Sequence, residues 1–133
     1  MRVLTAVGTT ALVVVLAIHL LALGAERAAR DPQAAPELRV AAAKRAVRLE
    51  PFNPRFEVTL AIALAEQDLA AGRVDEAYFT LLPLSTTVRG DEQFRDTYRR
   101  AVALKWTVDA RKAHQQHARE KAGGALDPED VER

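Results

Sequence analysis

An uninterrupted apolar segment near the start of the chain constrains its fold more than any other feature. Residues 3–24 contain no Asp, Glu, Lys or Arg, and residues 11–18 read ALVVVLAI. A helix needs about 20 mostly apolar residues to cross about 30 Å of hydrocarbon, at a rise of about 1.5 Å per residue. The segment therefore predicts one transmembrane helix, with residues 1–24 as a membrane anchor.

A cleaved signal peptide is the alternative interpretation of the same segment, with Arg2 as its basic start and residues 23–25 near the cleavage point. The apolar run of a signal peptide spans only about 7–15 residues, and Leu23 is large for the position three residues before a cleavage site. We therefore favour a retained anchor. Its short leading end resembles that of a signal anchor. This resemblance predicts that the soluble part is exported, although Arg27 and Arg30 nearly balance the basic residues across the membrane. We expect a bacterial inner-membrane protein with its soluble part on the periplasmic side.

His19 is the one ionisable side chain within the apolar segment. An ionisable residue inside a membrane is a functional hypothesis because its burial is costly. Residues 16–23 (LAIHLLAL) resemble the pigment-ligating helix of bacterial light-harvesting polypeptides, in which one His ligates bacteriochlorophyll. The resemblance implies a pigment or haem ligand at His19. The interpretation we favour is a neutral His near the interface, hydrogen-bonded to a headgroup, water or a partner helix, so no cofactor is expected.

The composition excludes several functional classes. With 19 Lys and Arg against 18 Asp and Glu, the formal net charge is +1, whereas nucleic-acid-binding domains are strongly basic. The absence of cysteine excludes disulfides, thiolate zinc sites, iron–sulfur clusters and cysteine nucleophiles. Ser85 is the only serine, and no Gly-rich phosphate loop occurs. We therefore expect no enzyme activity, no nucleic-acid partner and no small-molecule substrate.

Prolines, glycines and helical periodicity divide the remaining chain. Pro36 suits the first turn of a helix, and Pro51 and Pro54 must end that helix because proline lacks the amide donor. No window shows the two-residue alternation of a strand. The expected elements are a linker at 25–36, helices at 36–49, 55–71, 74–83 and 91–121, and a flexible acidic tail at 122–133. The predicted fold class is all-α, with the transmembrane helix followed by an antiparallel domain of about four helices at residues 37–121.

Two short motifs suggest the kind of helical domain. Residues 46–54 (AVRLEPFNP) resemble the end of a tetratricopeptide repeat, and residues 72–77 (GRVDEA) are similar to the turn inside one. The resemblance covers residues 37–88 and implies a small tetratricopeptide-like domain that binds other proteins. About three repeats are needed for a stable stack, and fewer are present here. We expect the core to be completed by the last helix, by self-association or by another protein.

The candidate partner-binding residues lie on the helices expected after residue 54. They are Phe56, Leu60, Tyr78, Arg95, Arg99 and Trp106. Intrahelical pairing of the basic strip that contains Arg95 and Arg99 is the alternative for those two residues. His114, His117 and Glu120 have side chains that bind metals, but without a fourth ligand we interpret them as a solvated helix end.

These observations together predict a non-enzymatic, membrane-anchored interaction subunit. Its partners would be the lipid bilayer and either a larger bacterial membrane complex, in which it is an accessory or assembly component, or a second copy of itself. The alternative is a pigment- or haem-associated subunit of an energy-transducing membrane complex, with His19 as the ligand.

Overall fold

The computed structural model describes the backbone of residues 2–88 and 90–123 and the side chains of residues 10–88 and 90–121. These residues form five α-helices, one 3-10 turn and no strand, which confirms the all-helical prediction for them. The elements are α1 (Arg2–Arg30), α2 (Pro36–Leu49), α3 (Pro54–Ala70), α4 (Val74–Leu81), the 3-10 turn (Leu82–Leu84) and α5 (Glu92–Gly123). From residue 124 the expected acidic tail lies outside the described residues.

Local chemistry explains where the later helices begin and end. Pro36 and Pro54 occupy the first turns of α2 and α3, where a missing N–H leaves no helical bond unmade. Gly72 has a φ of 75° in the turn from α3 to α4, a conformation that other residues rarely adopt. Asp91 caps α5, because its Oδ1 accepts a hydrogen bond of 3.0 Å from the backbone amide of Phe94.

The first helix extends further than the sequence suggested. Residues 25–36 were expected to be a linker, but α1 continues to Arg30, so that only residues 31–35 connect it to α2. Ala22, Ala25, Glu26 and Ala29 are buried, and their spacing places them on one face of the helix. This alanine-rich sequence favours a helix, and the helix gains further stability from a surface on which to pack.

Each helix packs against the next one along the chain, and α3 also contacts both α1 and α5. Ala22 and Ala25 share a cluster with Phe56 near the start of α3, whereas Ala29 packs with Ala63 further along it. The helices α1 and α3 therefore run in the same direction, away from the apolar end of α1. The intervening α2 returns toward that end.

The core consists of small apolar contacts in three clusters. Two of them join α1, α2 and α3, and the third joins α3, α4 and α5 around Ile62, Leu81 and Phe94. Buried alanines occur in all three clusters and allow the helix backbones to approach closely. The second half of α1 thus covers one side of the α2–α3 pair, whereas the sequence predicted that the last helix, self-association or another protein would complete the core.

Candidate interaction sites

The first half of α1 has an exposed apolar surface. Leu12, Leu16 and Leu20 are 69%, 55% and 59% exposed, and the valines between them are similarly accessible. The span Thr10–Arg30 contains an 18-residue window with a mean hydropathy of 1.9, and it is long and apolar enough to cross a membrane. Exposed apolar surface of this extent marks a membrane or protein contact. Within the described residues, α1 is the one helix with this property.

The length of α1 before the core matches a bilayer. Among residues 10–30 of α1, whose side chains the structure describes, Ala22 is the first that is buried against the other helices. Residues 2–21 rise by about 30 Å at 1.5 Å per residue, which equals the hydrocarbon thickness of a typical membrane, about 30 Å. The helical domain therefore begins where a span of this length would end.

His19 lies close to that boundary and contacts the α2–α3 turn. Its Nδ1 atom is 2.6 Å from Oε1 of Glu50, and the His19 side chain is about half exposed. The Asn53 side-chain amide donates to Oε2 of Glu50 at 2.9 Å. The hydrogen bonds from Asn53 and His19 lower the pKa of the Glu50 carboxyl. These contacts fasten the turn to α1 and leave Nε2 of His19 as the ring nitrogen that is available to a ligand.

A buried carboxylate joins α1 to α3. Glu26 is only 1% exposed, and its Oε1 accepts hydrogen bonds from Nε of Arg30 at 3.1 Å and from Nε of Arg55 at 2.7 Å. The hydroxyl of Thr59 lies 3.4 Å from the same oxygen. A buried charge is tolerated only when it is paired and hydrogen-bonded, as it is here. Glu26 is thus a structural contact between α1 and α3.

The same network continues to the start of α5. Nη2 of Arg30 lies 2.8 Å from Oδ2 of Asp91. Partial burial acts to raise the pKa of Asp91, but the hydrogen bonds from Arg30 and the backbone amide of Phe94 outweigh it and lower that pKa. Burial likewise acts to lower the pKa of Arg30, and the interactions with Asp91 and Glu26 outweigh it and raise the pKa. The chain of contacts from Arg55 to Asp91 thereby connects three helices.

An open cleft of about 850 Å³ lies at the end of the domain opposite the apolar part of α1. Arg39 on its wall is 8% exposed, donates from Nε to the carbonyl of Ala29 at 2.9 Å, and pairs through Nη1 with Glu66. The Thr97 hydroxyl donates to the other Glu66 oxygen at 3.0 Å. Basic and acidic side chains line this cleft in similar numbers. Neither sign of charge therefore predominates in the cleft. The contacts of Arg39 and Glu66 connect α1, α2, α3 and α5.

The α4–α5 surface, which we define as Tyr78, Phe79, Leu104, Lys105 and Trp106, exposes aromatic groups away from the anchor. Phe79 is 60% exposed and Trp106 is 75% exposed. Nζ of Lys105 lies 5.7 Å from the ring centroids of both Tyr78 and Phe79. Large aromatic side chains beside a cation are frequent at protein–protein contacts.

Lys105 also connects the α4–α5 surface to nearby carboxylates. Its Nζ lies 2.9 Å from Oδ1 of Asp75 and 3.2 Å from Oδ2 of Asp109. Hydrogen bonds to Asp75 and Asp109 raise the pKa of Lys105, and the bond from Lys105 lowers the pKa of Asp75. Lys105 is therefore held in position between the aromatic rings and the carboxylates.

The structure places the six predicted partner-binding residues in different environments. Phe56 is fully buried in a cluster with Ala22 and Ala25 of α1. Leu60 is partly buried beside Ala63. Tyr78 and Trp106 belong to the α4–α5 surface, and Tyr78 stacks on Tyr98 with centroids 6.2 Å apart.

Arg95 and Arg99 are exposed on α5 and line a shallow cavity of about 300 Å³. The α4–α5 surface therefore contains two of the six residues, and Arg95 and Arg99 lie beside Tyr98, on which Tyr78 stacks. That any of these residues bind a partner stays a prediction.

The histidines of α5 lie apart from the helix contacts. His114, His117 and Glu120 are exposed, and Nδ1 of His117 is 3.5 Å from Oε2 of Glu120. Among the residues that the structure describes, no group of three His, Asp, Glu or Cys side chains is arranged to hold a metal ion.

Comparison of the chain with protein-family models, with curated proteins and with solved structures gives no match in any of the three. The arrangement of its own residues therefore carries the functional argument. Two features of that arrangement escaped the sequence analysis. Phe79 could have been noticed beside Tyr78, and the spacing of Ala22, Ala25, Glu26 and Ala29 is a visible helical pattern.

Proposed function

We propose that the protein is a non-enzymatic subunit anchored in a bacterial inner membrane, with a helical domain that binds a larger membrane complex. The observation that carries this proposal is the division of α1. Residues 10–21 expose apolar side chains, and one face of residues 22–30 is buried in the domain. Such a helix would hold the domain directly on the membrane surface. A periplasmic position of the domain is part of this proposal.

A tetratricopeptide-like arrangement of the domain is part of the proposal. Its support is the close antiparallel turn at Gly72 and the full burial of Ala65 and Ala77, which lie in one cluster. Small residues at these positions allow α3 and α4 to approach as the paired helices of a repeat do. The pairing of α1 with α2 supplies a second helical pair beside it.

The α4–α5 surface is the region that we propose for the partner complex. Its support is the exposure of Phe79 and Trp106 on a domain whose other large aromatic side chains, apart from Phe52, are wholly or partly buried in the described residues. Exposed Trp and Tyr side chains are the usual anchors of protein contacts, with an Arg or Lys close by. An accessory or assembly subunit would use such a surface to bind its partner and would not catalyse a reaction.

Photo-crosslinking in native membranes tests this function. A photoreactive amino acid would replace Phe79 or Trp106 in the full chain, and Glu57 on the exposed face of α3 would be the matched control position. We expect the first two positions to yield the same crosslinked membrane protein and Glu57 to yield none. Adducts only between copies of this chain would indicate self-association, and equal adducts at all three positions would contradict the assigned surface.

A second candidate function is macrocycle binding through His19. Metal-ligating histidines usually donate their other ring nitrogen to a carboxylate, and Glu50 occupies that place at 2.6 Å from Nδ1. The purified membrane protein would then show a visible absorption spectrum that the His19→Leu variant lacks. A colourless wild-type protein would contradict this candidate and leave the interaction function unaffected.

A further inference from the structure

The turn between α2 and α3 bears the most exposed of the large apolar side chains that the structure describes. Phe52 is 96% exposed. The turn that bears it is restrained, because the backbone amide of Asn53 donates to the carbonyl of Glu50 at 3.2 Å. Pro51 and Pro54 limit the backbone further. The restrained turn thus holds the Phe52 ring in an exposed position. The ring makes no contribution to the core of the domain that would account for an aromatic residue at this position.

The turn between α2 and α3 lies next to the apolar segment of α1. Glu50, which begins the turn, contacts His19, and His19 lies within the apolar segment three residues before Ala22 enters the core. Phe56 packs with Ala22, and α3 runs from there away from the apolar end. Phe52 lies in the turn before α3, and the contact of Glu50 with His19 places this turn on the apolar side of the contact between Phe56 and Ala22. A membrane spanned by residues 2–21 would have its surface at the level of the turn.

The charges around the turn suit a lipid surface. Arg45 lines a groove with Leu20 and Leu21 at the end of the exposed apolar helix, and Arg48 is exposed in the last turn of α2. Arginines at such places extend along apolar surface and reach the phosphate groups of lipids. Glu50 is the carboxylate of the turn, and its two oxygens contact His19 and Asn53. Phe, like Trp and Leu, is typical of the lipid-facing side of segments that lie in the membrane interface.

We propose that residues 50–53 form a second membrane contact, in which Phe52 enters the headgroup region and Arg45 and Arg48 meet anionic lipid phosphates. The inference rests on the proposed function, because it requires α1 to span the bilayer. The occupant of this surface is the bilayer that surrounds the anchor, since Glu50 of the turn contacts His19 within the apolar segment of α1. Two contacts, the span and the turn, hold the domain at one tilt.

Tryptophan fluorescence of the full chain in vesicles tests the contact. Trp106 is the only tryptophan, so a Phe52→Trp, Trp106→Phe variant reports on the turn and the wild type reports on α5. A Phe79→Trp, Trp106→Phe variant is the matched control, because Phe79 is also exposed but lies on α4. Each protein is reconstituted in phosphatidylcholine and phosphatidylglycerol, with and without brominated phosphatidylcholine. Equal helical circular dichroism verifies that each variant is folded.

We expect the Phe52→Trp variant to emit at shorter wavelength and to lose intensity with brominated lipid, while the wild type and the Phe79→Trp variant change much less. A protein that floats with the vesicles but has an unquenched tryptophan in the turn would overturn the second contact and leave the anchor intact. An unquenched turn of this kind would face solvent or a protein. A protein that does not float would overturn the proposed anchoring, and the second contact with it.

Discussion

At the scale of single residues, the domain depends on a few polar side chains that link distant parts of the chain. Glu26, Arg30 and Asp91 connect α1 to α3 and α5 through charged hydrogen bonds. Hydrogen bonds between charged groups are stronger than neutral ones, and removal of one partner leaves the others incompletely paired. These residues are therefore more sensitive to substitution than the many exposed charges of α5.

Glu26→Ala is expected to lower the free energy of unfolding by about 1–3 kcal/mol, because it leaves Arg30 and Arg55 without their shared carboxylate. Thermal unfolding in detergent, followed by circular dichroism, measures the change. Glu57→Ala removes an exposed carboxylate of α3 and should stay within about 0.5 kcal/mol of the wild type. Equal effects of the two substitutions would contradict the role assigned to Glu26.

Asp91 makes stability depend on pH in a defined direction. Its pKa in the folded protein lies below that of the unfolded chain, because the hydrogen bonds from Arg30 and Phe94 outweigh burial. The folded state therefore binds fewer protons, so this stability is present above about pH 4 and is lost as the pH falls through the folded pKa. We expect Asp91→Asn to reduce the loss of stability in acid denaturation curves. A curve that keeps the wild-type slope would contradict this.

At the scale of helices, the approach of α3 to its neighbours depends on alanine. Ala65 is fully buried in the cluster that contains Ala77 and Leu81, whereas Ala61 on the same helix is only partly buried. The burial of one alanine and partial exposure of the other follow from the positions of α4 and α5 around α3. The two sites thus provide a matched comparison of the same substitution.

Ala65→Leu is expected to destabilise the protein by about 1–3 kcal/mol through overpacking. Ala61→Leu should cost less, because its larger side chain has solvent on one side. Chemical denaturation of both variants measures the difference. Equal destabilisation at the two positions would show that the contact between α3 and α4 is looser than described.

The buried half of α1 should count as part of the domain in a truncation experiment. A chain of residues 22–121 retains Ala22, Ala25, Glu26 and Ala29, whereas a chain of residues 37–121 exposes the surface that they cover. We expect the shorter chain to melt at a lower temperature or to associate, and the longer one to be the more stable. The measurements are thermal unfolding and sedimentation. Equal stability of the two chains would assign residues 22–30 to a linker after all.

The boundaries of α2 to α5 could be predicted because they depend on local chemistry. Pro36, Pro54, Gly72 and Asp91 act within one turn of their own positions. The continuation of α1 depends on residues far along the chain, since Glu26 bonds to Arg55 and Thr59. The two prolines that end residues 25–36 therefore predict a linker there, where the structure has the last part of α1.

The candidate sites divide in the same way. The apolar span was visible as an unbroken run, and the single tryptophan could be noticed from composition alone. The burial of Phe56 against α1 could not be predicted. The apolar periodicity of α3 indicates that Phe56 lies on an apolar face, but it does not indicate that α1 covers that face. The contact of His19 with Glu50 joins residues 31 positions apart, and no local pattern indicates such a pair.

At the scale of the whole molecule, the proposed anchor predicts how the protein behaves in membranes. Alkaline carbonate extraction of native membranes should leave the full chain in the pellet, because the exposed apolar half of α1 would be buried in lipid. Immunoblotting of pellet and supernatant measures this. A soluble chain beginning near Ala25 would show that the apolar segment is a cleaved signal. Protease added to spheroplasts should digest the domain if it is periplasmic.

Because α1 is continuous, it fixes the rotation of the helical domain relative to the apolar segment. Successive residues of a helix turn by about 100° around its axis, and no proline or break interrupts α1 before Arg30. Rotation of the proposed span about its own axis would therefore rotate the domain by the same angle. Each side of the span corresponds to one direction of the α4–α5 surface in the plane of the membrane. A membrane protein that binds one side of the proposed span would therefore determine whether Trp106 and Phe79 face toward it or away from it.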